Sequence, residues 1–488
     1  MPLIRSLAAA ALAGIFLGAC ATPEYPNTPL PSAAANEKNP ALPAATSPEE
    51  PLIIMAFSGG GSRATALALS VLQQLRNATY QMDGKTETLL ENVQVVSSVS
   101  GGSVTAGYLG INGIEGIDNL TEDFLKKDNM AALEWTAVNP ITWLSLTIGN
   151  ESRIDVLRDL FDQRMFHNAT FGDLRKKKHP IIVLNATDMV SGEVFAFTPE
   201  RFDDICSDLD ALRLSVGVAS SAAFPVALSP MDLKNYSGSG CKVTDPAPTW
   251  INKKLTSLDS RYLNIEEYKR ARYAYALRRG KGAFRDIEYV HLLDGGVADN
   301  QGIRSLTDVL FSPHGTVHLL EAIDRGKRKK IVVITVNARS DPPSDLDQDG
   351  GTPGIISMIE SVTSVPLDAA TASLNSEMQN LIESLRVAGA DAKKAATQGS
   401  PEASFADLKV YGITIDFDQF RPGQEDLRDR VKKIGTTWTL TDKDLKAVDD
   451  AATLLLHQHP CFQRLLKDLN APGVTEPDLA TQDCPVSD

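Results

Sequence analysis

Apolar residues gather in six runs along the 488-residue chain, at 52–57, 93–97, 181–184, 289–293, 331–336 and 408–415. Most are continuous rather than alternating, as strands covered on both faces require. Stretches with helical spacing fall between them, at 62–76, 102–110, 208–221, 303–311, 372–388 and 442–469. The last opens with Thr441 as an N-cap and Asp444 in its first turn, where a carboxylate meets the positive end of the helix dipole. Strands alternating with helices predict an α/β fold with a largely parallel sheet.

Three of the runs end in glycine-marked turns. Leu52–Phe57 leads into Gly59-Gly60-Gly61-Ser62-Arg63-Ala64, Val93–Val96 into Ser98-Val99-Ser100-Gly101-Gly102-Ser103, and Tyr289–Leu293 into Asp294-Gly295-Gly296. Ligands of an open parallel sheet bind beyond the carboxyl ends of its strands. The three turns are expected to meet there and to assemble free backbone N–H groups, a sharply turned serine and an aspartate. Those are the oxyanion donors, nucleophile and proton acceptor of acyl transfer. Ser100 stands where a strand turns into a helix, and Gly101 and Gly102 allow the tight backbone of a nucleophile elbow. Ser98 occupies the first glycine position of the usual G-x-S-x-G pattern.

Gly59, Gly60 and Gly61 form an anion-binding nest at a helix start. The same segment fits Gly-x-Gly-x-x-Ala, a variant dinucleotide fingerprint. Its acidic partner would be Asp83, in a polar stretch that makes a poor strand. Asp188 and Asp299 compete with Asp294 for the role of base. The histidines lack the context of a catalytic triad: His457 and His459 fall on a late helix, His179 begins a strand, His291 lies inside one, and His314 and His318 are near a turn. A serine–aspartate dyad is therefore expected. An ordinary aspartate, with a pKa of about 3.9, is a weak base, so Asp294 should be desolvated and held against Ser100.

The formal net charge of −14 argues against nucleic acid as a partner, because phosphate neutralisation needs clustered Lys and Arg. Short basic runs at 175–178, 278–281 and 327–330 read as solvated or, alternatively, as contacts to anionic lipid. Residues 1–19 read as an export signal, with Arg5 ahead of the apolar stretch Leu7–Leu17. That stretch is shorter than the roughly 20 residues needed to cross a bilayer. Leu17-Gly18-Ala19-Cys20 resembles the lipobox of bacterial lipoproteins, which implies a lipidated Cys20, a place in the bacterial cell envelope and, with Ala21 following, outer-membrane sorting. Residues 20–51, rich in Pro and Ala, are expected to be a disordered tether, and 470–488 a poorly ordered tail. The four remaining cysteines pair most simply as Cys206–Cys241 and Cys461–Cys484, with buried free thiols as the alternative.

Four blocks in order give the chain its resemblance to patatin-like phospholipases: Gly59–Arg63, Ser98–Gly102, Ala219-Ser-Ser-Ala-Ala-Phe-Pro225 and Asp294-Gly-Gly-Val-Ala-Asp-Asn300. The resemblance implies a three-layer α/β/α fold with a mostly parallel central sheet over 52–469, carrying insertions near 111–175 and 230–285. It implies Ser100 as nucleophile, Asp294 as general base and the Gly59–Gly61 loop as oxyanion hole. Arg63 matches an arginine that contacts the substrate phosphate in some relatives. The implied substrate is a phospholipid or lysophospholipid ester, with no metal or organic cofactor. A non-catalytic lipid-binding lipoprotein of the same fold and a dinucleotide-binding oxidoreductase stand as alternatives.

Three further features have double readings. The Tyr/Arg-rich stretch 265–279 suits a lid or membrane-interface helix as well as an ordinary surface helix. Trp135, Trp143, Leu144, Leu146 and Ile148 read as core ahead of acyl channel. Asp345–Gly350 copies half of an EF-hand loop but lacks its closing glutamate, Ile356 standing there; an acidic surface loop is expected.

Overall fold

The computed structural model describes residues 25–31, 35–40, 42–43, 45–138, 152–177, 180–225, 228–237, 265–279, 286–311, 328–339, most of 376–387, 408–472 and Cys484. Its strands are β1 (Pro51–Phe57), β2 (Thr79–Met82), β3 (Lys85–Thr88), β4 (Val93–Val99), β5 (Ile181–Asp188), β6 (Val194–Ala196), β7 (Met231–Lys234), β8 (Tyr289–Asp294), β9 (Lys330–Asn337) and β10 (Lys409–Asp416). The helices around them include α1 (Gly61–Asn77), α2 (Gly101–Gly116), α3 (Leu214–Ser221), α4 (Ile265–Arg279), α5 (Ile303–Phe311), α6 (Asp442–Gln458) and α7 (Pro460–Asp468).

The main sheet runs β10-β9-β1-β4-β5-β8-β7, with β6 beside β5. The first five strands are parallel; β8 is antiparallel to β5, and β7 to β8. Alternate residues of β1 feed different layers. Ile53, Met55 and Phe57 join the larger core with α1, α2 and α6, whereas Leu52, Ile54 and Ala56 pack with Ile303, Leu306, Met378 and Ile382 on the other face. Every residue of β1 and β4 is buried. Each large apolar side chain so covered contributes about 1.5–3 kcal/mol, and full cover explains the continuous apolar runs. The expected three-layer α/β/α architecture is the one observed.

Several expectations are corrected. The polar stretch 81–85 does form strands: β2 and β3 make a hairpin whose turn residues Asp83 and Gly84 have φ of 49° and 76°, as a tight Asp-Gly hairpin turn demands. Asp83 thus sits at a hairpin tip, not at the end of a second parallel strand, and the dinucleotide fingerprint lacks its acidic partner. The helix expected over 208–221 begins only at Leu214. That expected over 442–469 divides at His459, because Pro460 has no N–H to continue α6 and instead starts α7, capped by His459.

The tether is not disordered where it is described. It is docked as an extended strap, with Asn27 2% and Asn36 8% exposed. It is poor in large apolar residues, but two asparagines satisfy backbone groups of the body through their side chains. At the other end the expected Cys461–Cys484 disulfide is present, tying the tail to α7. Cys206 is also disulfide-bonded; its expected partner Cys241 lies outside the described residues. So do the half EF-hand, Trp143, Leu144, Leu146, Ile148 and the side chain of Trp135.

Helix α4 packs inward as a surface helix does: Tyr273, Ala276 and Leu277 are buried, Arg201 lies 5.0 Å over the Tyr273 ring and Arg278 pairs with Asp204. Four other cations of the basic runs are likewise matched within the protein, Arg175 with Asp210, Lys176 with Asp173, Arg328 with Glu50 and Lys330 with Glu49.

Candidate active site

Ser100 forms the turn between β4 and α2 with φ 51° and ψ −119°. A non-glycine residue there costs on the order of 1–3 kcal/mol and persists only where its surroundings enforce it. Enforcement comes from close backbone packing. A Cβ on Gly101 would lie 2.0 Å from the Gly61 oxygen, and one on Gly102 would lie 2.7 Å from Ser58 O and Phe57 Cβ. Glycine alone lets the first turn of α2 press against the end of β1.

A chain of hydroxyls holds the turn from behind. The Ser100 N–H donates to Ser221 Oγ at 2.9 Å, and Ser221 Oγ donates to Asn185 O at 2.6 Å. With that proton committed, Ser103 Oγ must donate across its 2.8 Å contact to Ser221. The Ser98 hydroxyl lies 3.0 Å from Ser103 Oγ and 3.4 Å from Val183 O, with its single proton shared between them. Ser98 is wholly buried and fully satisfied, which is how serine fits where glycine is usual. Of these partners, Ser221 belongs to the Ala219–Pro225 block, but its role was not legible without the fold.

Asp294 arrives by an unexpected route. Because β8 is antiparallel, its last residue does not point out of the sheet with those of β1 and β4. The register compensates: Val99 pairs with Asn185 and Ala186 with Asp294, so both site turns fall in one cross-strand row at the carboxyl edge of the parallel strands. The Asp294 main chain is held by Ala223 O and Thr187 Oγ1, and its Oδ1 accepts the Gly296 N–H at 2.8 Å. Burial pushes its pKa up to about 6, against the opposing pull of the Gly296 N–H and the neighbouring Ser100 hydroxyl.

The glycine loop runs directly alongside. A Cβ on Gly59 would lie 3.3 Å from Ser100 Cβ. Its N–H, however, donates to Asn300 O at 3.0 Å and is not free to serve as an oxyanion donor, which corrects the expectation for this residue. Gly60 and Gly61, with φ of 137° and 56°, have amides without an acceptor among the described residues, at the start of α1. The Arg63 guanidinium does not face an open site. It is 2% exposed and donates to Ala338 O at 2.8 Å and to Ile434 O. Burial lowers its pKa to about 10, so it stays a cation at neutral pH and fastens the loop. This contact set replaces the substrate-phosphate role implied for it.

The competing carboxylates have structural duties. Asp188 closes a turn through the N–H groups of Val190 and Ser191, and Asp299 accepts from Gln301 and Arg304 N–H ahead of α5. None of the described histidines bonds either dyad member. His459 caps α7, its pKa brought down to about 4 by burial, and His291 pairs with Asp232. His179, His314 and His318 lie outside the described residues. A residue not singled out in the sequence, Asn300, reaches the site: its Oδ1 would meet a Cβ on Gly59 at 2.6 Å and one on Gly296 at 2.8 Å. Among the described residues no group of three metal-ligating side chains occurs.

A strained serine backed by a glycine loop and a buried aspartate defines the class, and comparison with known families agrees. The chain belongs to the patatin-like phospholipase family, whose model matches residues 55–307, just over half of the chain, including Ser100 and Asp294. Among solved structures it is similar to human GIVD cytosolic phospholipase A2, at 12% identity and a TM-score of 0.39, over 86% of this chain and 63% of that one. It therefore spans less than two thirds of the human protein's length. It is also similar to VipD from Legionella pneumophila, at 13% identity and a TM-score of 0.28, over 89% of this chain and 75% of that one. No curated protein sequence matches it.

Proposed function

We propose that this member of a lipid acyl hydrolase family cleaves carboxylic ester bonds of phospholipids or lysophospholipids through an acyl-enzyme on Ser100, as a lipoprotein anchored at Cys20 in the outer membrane. The observation that carries the reading is a desolvated Asp294, with its pKa pushed up to about 6, beside a serine hydroxyl on an enforced turn. A base of that strength is still ionised at pH 7 yet accepts a proton far better than an exposed carboxylate.

In the first half-reaction Asp294 takes the Ser100 proton as Oγ attacks the ester carbonyl carbon. The negative charge that develops on the carbonyl oxygen is met by the uncommitted Gly60 and Gly61 amides at the positive end of α1. The tetrahedral centre collapses, the ester C–O bond breaks, and the leaving alcohol takes the proton from Asp294. Water then gives its proton to Asp294 and attacks the acyl-serine; as the fatty acid leaves, Asp294 returns the proton to Ser100 Oγ and the enzyme is restored. Apo hydrogen bonds of such pairs are commonly long and tighten when substrate binds. A fluorophosphonate probe should label the protein at Ser100 and fail to label Ser100→Ala; equal labelling of both would remove Ser100 from the mechanism.

A further inference from the structure

The path of the strap decides how the protein can face a membrane. β1 starts at the amino edge of the sheet, at Pro51, whereas Ser100 and Asp294 lie at the carboxyl edge of the parallel strands. A free tether of about 30 residues would reach on the order of 100 Å when extended and leave orientation unset. The docked strap instead carries the chain back to the carboxyl edge. Asn36 is bound by Asp203, Ser207 O and the Leu209 N–H, and Leu30 N–H donates to Cys206 O. Asn27 grips the end of β7: its Oδ1 accepts the Lys234 N–H at 2.9 Å, and its Nδ2 donates to Lys234 O at 2.9 Å and to Ser207 Oγ at 3.0 Å. Tyr25 then stacks on Tyr289 with ring centroids 5.2 Å apart. Because β8 runs against β5, its first residue, Tyr289, stands at the carboxyl edge of the parallel strands. From Tyr25 back to Cys20 only about five residues remain, a span of at most about 18 Å.

The same edge carries apolar side chains left open to water. Of five exposed large apolar residues among those described, four lie here: Met189 at 49% and Val190 at 60% in the turn after β5, Tyr289 at 40%, and Val297 at 41% just beyond Asp294. Exposed apolar residues scattered singly are ordinary; a set concentrated where the leash emerges and the site opens fits a lipid surface.

We propose that this edge is the face that meets the bilayer. The docked strap is a short leash that turns Met189, Val190, Val297 and the opening of the site toward the leaflet holding the Cys20 anchor, so that acyl lipid is drawn from the protein's own membrane. The proposal rests on the acylation of Cys20 argued above, and its test needs no turnover. Full-length acylated protein carrying an environment-sensitive fluorophore at Val190→Cys is reconstituted into phosphatidylethanolamine–phosphatidylglycerol vesicles, with Lys85→Cys, on the hairpin at the amino edge, as reference. The Val190 probe is expected to brighten about threefold or more and shift to the blue as it enters the interface, and the Lys85 probe to stay in water. Releasing the strap with Asn27→Ala and Asn36→Ala should abolish that contrast. So should a 20-residue Gly/Ser insertion after Glu24, which lengthens the leash and leaves the strap intact. A Val190 probe that remains in water, a Lys85 probe that responds equally, or a contrast untouched by either change overturns the proposal. Made in a Ser100→Ala background, the same measurement stands or falls independently of hydrolysis, which the fluorophosphonate experiment tests alone.

Discussion

At pH 7 the carboxyl group of Asp294 must be ionised to take a proton, yet burial raises its pKa to about 6. Two measurable consequences follow from that conflict. The acidic limb of kcat/KM should fall as pH drops through about 6, rather than near 4 as for an exposed carboxylate. A folded-state pKa raised above the unfolded value of 3.8 also means stability that is complete below 3.8 and lost as pH rises through about 6. Asp294→Asn should therefore be inactive but more stable than the native chain at pH 8, by up to about 3 kcal/mol, with the gain vanishing near pH 4. Thermal unfolding at both pH values checks the sign. Gly61 imposes a different constraint: φ is 56°, and a Cβ would lie 2.5 Å from Thr437 O. Gly61→Ala should cost more than about 1 kcal/mol and abolish fluorophosphonate labelling, because the obstacle is backbone and cannot rotate away.

Among the elements, the turn between β4 and α2 depends on α3 through one hydroxyl. Ser221→Ala would leave the buried Ser100 N–H and Asn185 O without their partner. A loss of about 1–3 kcal/mol in stability is expected, together with a fall in kcat larger than any change in KM; a kcat equal to that of the native chain would show that the hydroxyl chain does not position the nucleophile. Helix α7 is held at its first turn by Cys461–Cys484, which closes a loop with a sequence separation of 23. Replacing both cysteines by alanine should cost about 3 kcal/mol, read as a shift in the urea midpoint with the slope little changed. How far these elements were legible follows from how local their causes are. Ser100 and Asp294 stood out because glycines beside them mark tight turns. The split at Pro460 is also written locally, but a longer helical periodicity runs across it. The direction of β8, the burial of Arg63 and the engagement of the Gly59 N–H were not, since each depends on partners set by tertiary pairing. Asn27 and Asn36 are the extreme case: their partners lie roughly 170–210 positions away, and asparagines in a Pro/Ala-rich stretch look like solvated linker until those partners are in place.

For the molecule as a whole, a net charge of −14 sets its behaviour toward anionic bilayers. Protein lacking residues 1–20 should hydrolyse phosphatidylglycerol-rich vesicles more slowly than neutral ones at low salt. The difference should shrink toward 0.15 M salt, where the screening length is about 8 Å. A rate independent of salt and lipid charge would show that the apolar edge, not the overall field, governs encounter. The Cys461–Cys484 link adds a matter of timing. Cytoplasmic thiols are kept reduced, so a copy held in a reducing compartment has its last helix unpinned and lacks that share of its stability. With the export proposed above, oxidation outside the cytoplasm would complete the fold, and the proposed acyl hydrolase would reach full sturdiness only after leaving the compartment where it was synthesised.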